Sequence, residues 1–171
     1  MGAAHVRMCT TDEDLAEYAL FFIRNQSDFS RDFTLIDTLM HILATAGNAY
    51  IHLILDDNET TIGWVSYRYL NERGQEQQGG EIAFIDSVIM LETYRSSRTF
   101  LRGFRHLANH MAQENSHVRK FQFNALADHA YLTRLYSKFA VIIGERDGYH
   151  GKENIFSADF PELLLYLNRS K

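Results

Sequence analysis

The run EIAFIDSVIML, residues 81–91, constrains the fold of this chain more than any other segment. It is almost continuously apolar, which is typical of a central strand that is buried on both faces. The segment after it is predicted to be a helix, because its apolar residues recur at helical spacing: Phe100, Phe104, Leu107 and Met111. A strand that leads directly into a helix leaves backbone N–H groups unpaired at the helix start, and these groups form a site for anions.

The rest of the chain alternates between strand and helix patterns. HVRM (5–8) is a predicted strand, and two helices follow, one capped by Thr11 and one ended by Gly47. The second helix aligns four apolar residues on one side: Ile36, Leu39, Met40 and Leu43. A hairpin with the turn DDNET precedes the central strand, and the chain continues as strand VRKFQFNAL, helix DHAYLTRLYSKF with Asp128 as its cap, and strands AVIIGE and ENIFSADF. The order β-α-α-β-β-β-α-β-α-β-β predicts an α/β (α+β) domain with a mixed sheet.

Composition limits the class of protein. The 171 residues are 46% hydrophobic and include one proline, which predicts a single globular domain over residues 1–171. No stretch reaches about 18 uncharged apolar residues and no secretory signal is recognisable, so we expect no membrane partner. The single cysteine, Cys9, excludes an internal disulfide and favours a reducing, cytoplasmic location. The net charge of −5 argues against nucleic acid as a partner.

The element order and two motifs resemble the GNAT superfamily of acyl-CoA N-acyltransferases. VIMLETYRSSRTFLRGF is similar to the family pattern V-x-P-x-Y-R-G-x-G-x-G, and Tyr94 and Arg95 match its Tyr-Arg pair. LYSKFAVIIGE is similar to L-Y-E-K-L-G-F-x-x-x-G-E and shares five positions with it: Leu135, Tyr136, Lys138, Gly144 and Glu145. The resemblance implies a mostly antiparallel central sheet flanked by helices and acetyl-CoA as co-substrate.

The resemblance also assigns a cofactor site to the central strand and the loop after it. The backbone amides of six residues would hold the pyrophosphate of acetyl-CoA: Arg95, Ser96, Ser97, Arg98, Thr99 and Phe100. Met90 and Leu91 would pair through their backbone with the pantetheine arm. This loop departs from the family because it has no glycine between Tyr94 and Arg102, and glycine allows close approach to a phosphate. Either arginine side chains contact the phosphates instead, or the site is filled and no cofactor binds.

N-acyl transfer needs a base for the amine and an acid for the departing thiolate. By resemblance, Tyr136 is the general acid. Asp86 is the first candidate base, because a lone aspartate in an apolar strand must be paired or must reach a cleft, and Glu81 is the second. His129 stands where the family usually has Asn, so it either contacts cofactor or substrate or serves a structural role. We predict no metal, since His106 and His110 lack a third ligand.

The sequence therefore predicts an N-acetyltransferase that moves an acetyl group from acetyl-CoA to a primary amine on a small molecule or a protein. Tyr149 and His150 are candidate contacts for the amine acceptor, whose identity stays open. One alternative is a catalytically inactive GNAT-fold binding or assembly protein, with Tyr67 and Tyr69 as its exposed surface. Another is a GNAT-fold enzyme that modifies a nucleic-acid base. The sequence leaves open whether the protein forms a homodimer.

Overall fold

A computed structural model describes residues 4–29, 33–95, 97–148 and 151–169. The strands are β1 (His5–Met8), β2 (Tyr50–Leu55), β3 (Thr61–Leu70), β4 (Ile82–Met90), β5 (Lys120–Leu126), β6 (Val141–Gly148) and β7 (Gly151–Asp159). The helices are α1 (Asp12–Arg24), α2 (Gln26–Phe29), α3 (Leu35–Ala46), α4 (Ser97–Glu114), α5 (Ala130–Tyr136) and α6 (Phe160–Leu167). A 3₁₀ turn (Glu92–Tyr94) joins β4 to the segment that leads into α4.

The strands are ordered β1-β2-β3-β4-β5-β7-β6 in the sheet. β4 and β5 are parallel, whereas β1 and β2, β2 and β3, β5 and β7, and β6 and β7 are antiparallel pairs. The predicted mixed, mostly antiparallel sheet with flanking helices is therefore confirmed. The residues group into two compact units, the first formed by Met1–Arg68 and Ser87–Leu107 and the second by Tyr69–Asp86 and Ala108–Lys171.

The core of the first unit is built around Trp64. Its ring lies 5.0 Å from the ring of Tyr18 and 4.9 Å from that of Phe22, centroid to centroid, and all three side chains are fully buried. Tyr18 and Phe22 come from α1. This helix begins as predicted, because the Thr11 hydroxyl accepts the N–H of Asp14. Burial of these three large rings fixes α1 against β3.

Helix α3 is ended by Gly47 as predicted, but the side that carries its aligned apolar residues faces away from the core. Thr34 and Asp37 form a capping box at its start. Its buried residues are Thr38 and Thr45, whose hydroxyls donate to the carbonyls of Thr34 and His41 one turn earlier. Because these hydroxyls are satisfied inside the helix, they can be buried at low cost. The side predicted from the sequence is exposed: Ile36, Leu39, Met40 and Leu43.

The second unit has a separate aromatic core around Phe123 of β5. The ring of Phe123 stacks on that of Phe156 at 5.1 Å and meets Tyr136 edge-on at 4.7 Å. The last segment of the chain, whose structure the sequence did not decide, is the helix α6, capped by Asp159. No helix in the described ranges is both long and apolar enough to cross a bilayer.

Candidate active site

The end of β4 presents one backbone carbonyl on the side away from β3. The Leu91 N–H donates to the Ile62 carbonyl of β3 at 2.8 Å. A trans peptide is planar, so the Met90 carbonyl in the same peptide unit points in the opposite direction. This oxygen accepts a hydrogen bond from Arg95 Nε at 2.6 Å. The Leu91 amide is therefore committed to the sheet, and only the Met90 carbonyl is directed to where a further extended chain would pair.

Two side-chain contacts fix the turn that follows β4. The Tyr94 hydroxyl donates to Asp56 Oδ2 at 3.2 Å, and Arg95 binds back to the strand as described above. The hydrogen bond to Asp56 raises the pKa of Tyr94. The Asp56 pKa is lowered, first by the Thr60 N–H and then by the Asn58 N–H. The Tyr94–Arg95 pair that matches the family motif thus anchors the turn.

The amides of the predicted pyrophosphate loop differ in their availability. The Arg95 N–H donates to the Glu92 carbonyl at 3.1 Å within the 3₁₀ turn. Ser96 lies outside the described residues. Residues 97–100 form the first turn of α4, where an α-helix offers no i−4 carbonyl to its own N–H groups. The candidate anion site is therefore this turn rather than the whole loop.

The side chains of the same loop separate into exposed cations and packed residues. Arg95 and Arg98 are exposed, and the first turn of α4 contains no acidic residue. Thr99 is buried, and the ring of Phe100 lies against that of Phe104 at 5.8 Å on the same helix. Phe100 stands where the family pattern has a glycine, and part of its ring is packed against Phe104. A positive first turn suits a phosphorylated ligand.

In the second unit, β4 and β5 pair over a short length only. Their parallel register joins residues 82–84 to residues 120–122, whereas β5 pairs with β7 on its other side over all of residues 120–126. Asp86 lies two residues beyond the last pair and is exposed, so the premise that the strand buries its side chain was wrong. The Glu81 carbonyl accepts the N–H groups of Arg119 and Lys120, and its carboxylate lies 3.8 Å from Arg119 Nε. Glu81 therefore holds the start of the paired segment.

Tyr136, the predicted general acid, is the last residue of α5. Its half-buried ring packs edge-on against Phe123 at 4.7 Å and Phe156 at 5.5 Å, and lies 6.1 Å from Phe139. Burial raises the pKa of its phenol, and the neighbouring Tyr131 adds to the shift. The hydroxyl is consequently protonated at neutral pH, which is the state that a proton donor requires.

His129 caps α5 in place of Asp128, so the sequence assignment of the cap was wrong by one residue. Its Nδ1 accepts the Leu132 N–H at 3.3 Å. His106 accepts the Val6 N–H through Nδ1 at 3.2 Å, and His110 Nε2 lies 3.2 Å from Glu114. Among the described residues, no cluster of three or more potential metal ligands occurs.

Comparisons with known proteins bear on the fold. No protein-family model matches the sequence, and no curated protein matches it either. Solved structures do match. AAC(6')-Ib in complex with ribostamycin and coenzyme A aligns with a TM-score of 0.66 at 17% identity, covering 99% of each chain. The RimL ribosomal L7/L12 α-N-protein acetyltransferase in complex with CoA gives 0.63 at 14% identity, covering 91% of this chain and 94% of that one. Ribosomal-protein-S5-alanine acetyltransferase from Vibrio fischeri gives 0.64 at 14%, covering 93% and 94%. The chain has the GNAT fold.

Some predicted residues of this GNAT fold lie elsewhere than expected. Tyr67 and Tyr69 are buried, so the prediction that they form an exposed binding surface was wrong. Tyr67 bonds to His52 Nε2 at 3.0 Å, and the Tyr69 hydroxyl donates to Glu114 at 2.6 Å. Tyr149 and His150, the predicted acceptor contacts, lie outside the described residues.

Sequence reasoning missed the two side-chain contacts that anchor the turn between β4 and α4. Asp56 stands in the hairpin turn between β2 and β3, 38 positions before Tyr94. Nothing in a single sequence indicates a pairing across that separation. The hydrogen bond from Arg95 to Met90 spans five positions, but it depends on the 3₁₀ turn, which the sequence pattern did not predict.

Proposed function

We propose that this protein transfers an acyl group, with acetyl as the first candidate, from acyl-CoA to a primary amine. The observation that carries the proposal is the end of β4, where the outward Met90 carbonyl leads into a cationic helix turn. The carbonyl offers an acceptor for an amide N–H of the pantetheine arm. The turn offers amides and the guanidinium of Arg98 to a pyrophosphate. Two of the structures with this fold contain CoA, which supports the same co-substrate here.

The reaction needs two proton transfers. The amine nitrogen forms a bond to the thioester carbonyl carbon, the C–S bond breaks, and the nitrogen loses a proton to a base. Asp86, exposed on β4, is the candidate base, directly or through water. The departing thiolate takes a proton from the Tyr136 hydroxyl, whose raised pKa keeps that proton in place. The products are an amide and free CoA thiol, so the balance requires no metal or redox partner.

The acceptor class follows from the same chemistry. A neutral primary amine is required for attack. The structures with the same fold include a complex with ribostamycin and a protein α-N-acetyltransferase. We therefore propose that the acceptor is either a small polyamine-like molecule or the α-amine of a protein. A panel should include ribostamycin and short peptides with free N-termini.

The test is release of CoA thiol from acetyl-CoA in the presence of this amine panel. We expect at least one amine to give turnover, and Tyr136→Phe to lower kcat by about 10²- to 10⁴-fold, because it removes only the acid. Tyr166→Phe is the matched control, since Tyr166 is also half-buried and also contacts Phe139, at 6.2 Å. Equal activity of wild type and Tyr136→Phe would refute the assigned role.

A catalytically inactive binding protein is the second candidate. The observation that favours it is the hydrogen bond from Arg95 Nε to the Met90 carbonyl oxygen at 2.6 Å, which takes up one acceptor position of that oxygen. A carbonyl oxygen has two lone pairs and can accept a second donor, so the contact does not by itself close the site. CoA binding without turnover on any amine of the panel would select this candidate.

A further inference from the structure

A buried polar group of β5 lacks a hydrogen-bond donor within the described part of the chain. The side-chain carbonyl oxygen of Asn124, Oδ1, is shielded from solvent, and no described group donates to it. An unsatisfied buried acceptor is costly, so nearly all such oxygens in folded proteins have a donor. No hydrogen bond holds this oxygen, and rotation about χ2 of asparagine is soft, so the oxygen can turn at low cost. Asn124 can therefore accept a donor that a ligand supplies.

The backbone of Asn124 points towards the β4 side of β5. The Lys120 N–H donates to the Glu81 carbonyl at 3.1 Å, on the β4 side. Backbone groups of a strand alternate between its two neighbours, so the N–H and carbonyl of Asn124, four residues later, point the same way. β4 pairs with only the first three residues of β5. Asn124 therefore faces the space between residues 85–86 and residues 124–126, here called the β4–β5 gap, which lies within the second unit.

Asn124 shares one face of the sheet with the candidate base. In the parallel register, Phe84 of β4 stands beside Gln122 of β5. Side chains along a strand alternate between the two faces, and partners in a ladder share a face. Asp86 and Asn124 each lie two residues further along their strands, so both belong to the face of Phe84 and Gln122. The candidate base and the unsatisfied amide oxygen are therefore on the same side of the β4–β5 gap.

The candidate acid lies on the opposite face. Phe123 directly precedes Asn124, so its side chain belongs to the other face, where its ring meets that of Tyr136 at 4.7 Å. A thiolate that takes its proton from Tyr136 leaves on that face. The amine that attacks the thioester carbonyl then approaches from the face of Asp86 and Asn124. The donor that fits Asn124 is therefore an N–H of the acceptor amine rather than a group of CoA.

We propose that Asn124 binds the acceptor amine, with its Oδ1 accepting one N–H of that amine; this inference rests on the proposed function. A primary ammonium group carries only donors, so it is bound by groups that accept, such as a carboxylate and an amide oxygen. Asp86 takes the proton that leaves the nitrogen, whereas Asn124 holds an N–H and orients the nitrogen. An N-acetylated amine has one N–H and no charge, so this site favours the acceptor over the product.

Calorimetric titration with ribostamycin and with tetra-alanine, in the presence and absence of CoA, tests binding without requiring turnover. We expect wild type to bind at least one of these amines, and N-acetylated tetra-alanine more weakly than the free peptide. Asn124→Leu keeps the shape but not the oxygen and should weaken amine binding at least about tenfold, with CoA affinity unchanged. Asn124→Asp keeps an accepting oxygen and should bind the amine at least as tightly as wild type. The control is Gln122→Leu, on the same strand and face, because Gln122 Nε2 already donates to the Ser157 hydroxyl at 3.4 Å; it should bind as wild type does.

Three binding results would overturn the inference: no amine binding by wild type, equal amine affinity of wild type and Asn124→Leu, or weaker CoA binding in Asn124→Leu. Release of CoA thiol then separates this inference from the proposed function. Asn124→Leu should raise the KM for the amine at least about tenfold and leave the KM for acetyl-CoA unchanged. Unchanged kinetics in this variant would refute the role of Asn124 and leave the proposed transfer intact. Amine binding that depends on Asn124, without turnover of any amine, would refute the transfer and support the amine site.

Discussion

Gly63 on β3 is the point where the sheet least tolerates an added atom. A methyl group there would overlap the Ile89 carbonyl oxygen and lie 3.0 Å from Met90 Cα, both of which are backbone atoms of β4. Backbone cannot rotate away as a side chain does, so Gly63→Ala must displace β4 from β3. Overpacking of this kind costs about 1–3 kcal/mol. For a chain of this length, we expect the melting temperature to fall by about 2–12 °C.

Gly103→Ala is the matched control for this prediction. Gly103 lies inside α4, and its added methyl group would meet only the Ala4 side chain, at an ordinary 3.7 Å. Alanine in a helix interior is more stable than glycine by about 0.5–1 kcal/mol. The two glycine-to-alanine changes should therefore shift the melting temperature in opposite directions in differential scanning calorimetry. A Gly63→Ala protein that melts at or above the wild-type temperature would refute the account of how β3 supports the end of β4.

Four further predictions concern individual side chains. Thr34→Ala removes the α3 cap and should cost about 1 kcal/mol, measured by urea denaturation. The Asp37 pKa is lowered, first by the Thr34 N–H, so the stability that Asp37 contributes is present above pH 3.8 and is lost as the pH falls through its folded pKa; a stability difference between wild type and Asp37→Asn that persists unchanged at pH 2 would contradict this. Partial burial raises the pKa of Cys9 to about 12, so its reaction with a thiol reagent at pH 8 should be at least about 100-fold slower in the folded protein than in urea, and equal rates would contradict this effect of partial burial. Tyr94→Phe removes the bond to Asp56 and should weaken CoA binding several-fold without lowering the melting temperature.

The order of the elements could be predicted because each carries its own local signal. Thr11 caps α1, Gly47 follows α3, and the DDNET turn separates β2 from β3, all as the sequence indicates. The resemblance in two short motifs then led to the correct fold. Hydrophobic periodicity and turn chemistry act within a few residues of each other, and a single sequence displays them directly.

The orientation of α3 could not be predicted for the opposite reason. Periodicity shows that Ile36 and Leu43 share a side of the helix, but it does not say whether that side faces the sheet, solvent or another chain. The threonines that are buried instead satisfy their hydroxyls inside the helix, which no hydrophobicity pattern reveals. Periodicity identified the face correctly and left its environment open.

The candidate site was predicted by its position rather than by its contacts. The strand-to-helix turn lies where the sequence placed it, and Tyr136 ends α5 beside Phe123. The Arg95 contact with Met90 and the exposure of Asp86 depend on local backbone geometry that the sequence pattern does not encode. Residue roles in a site are therefore harder to predict than the elements that carry them.

Calorimetric titration of the wild-type chain with CoA tests the central claim most directly. We expect saturable binding with a dissociation constant in the micromolar range, weakened at least about tenfold in the Arg95→Ala, Arg98→Ala double variant. Arg73→Ala, which removes another exposed arginine from the loop before β4, is the control and should bind as wild type does. Absence of binding at about 1 mM CoA, or unchanged affinity in the double variant, would contradict the assignment of the β4–α4 turn as the acyl-CoA site.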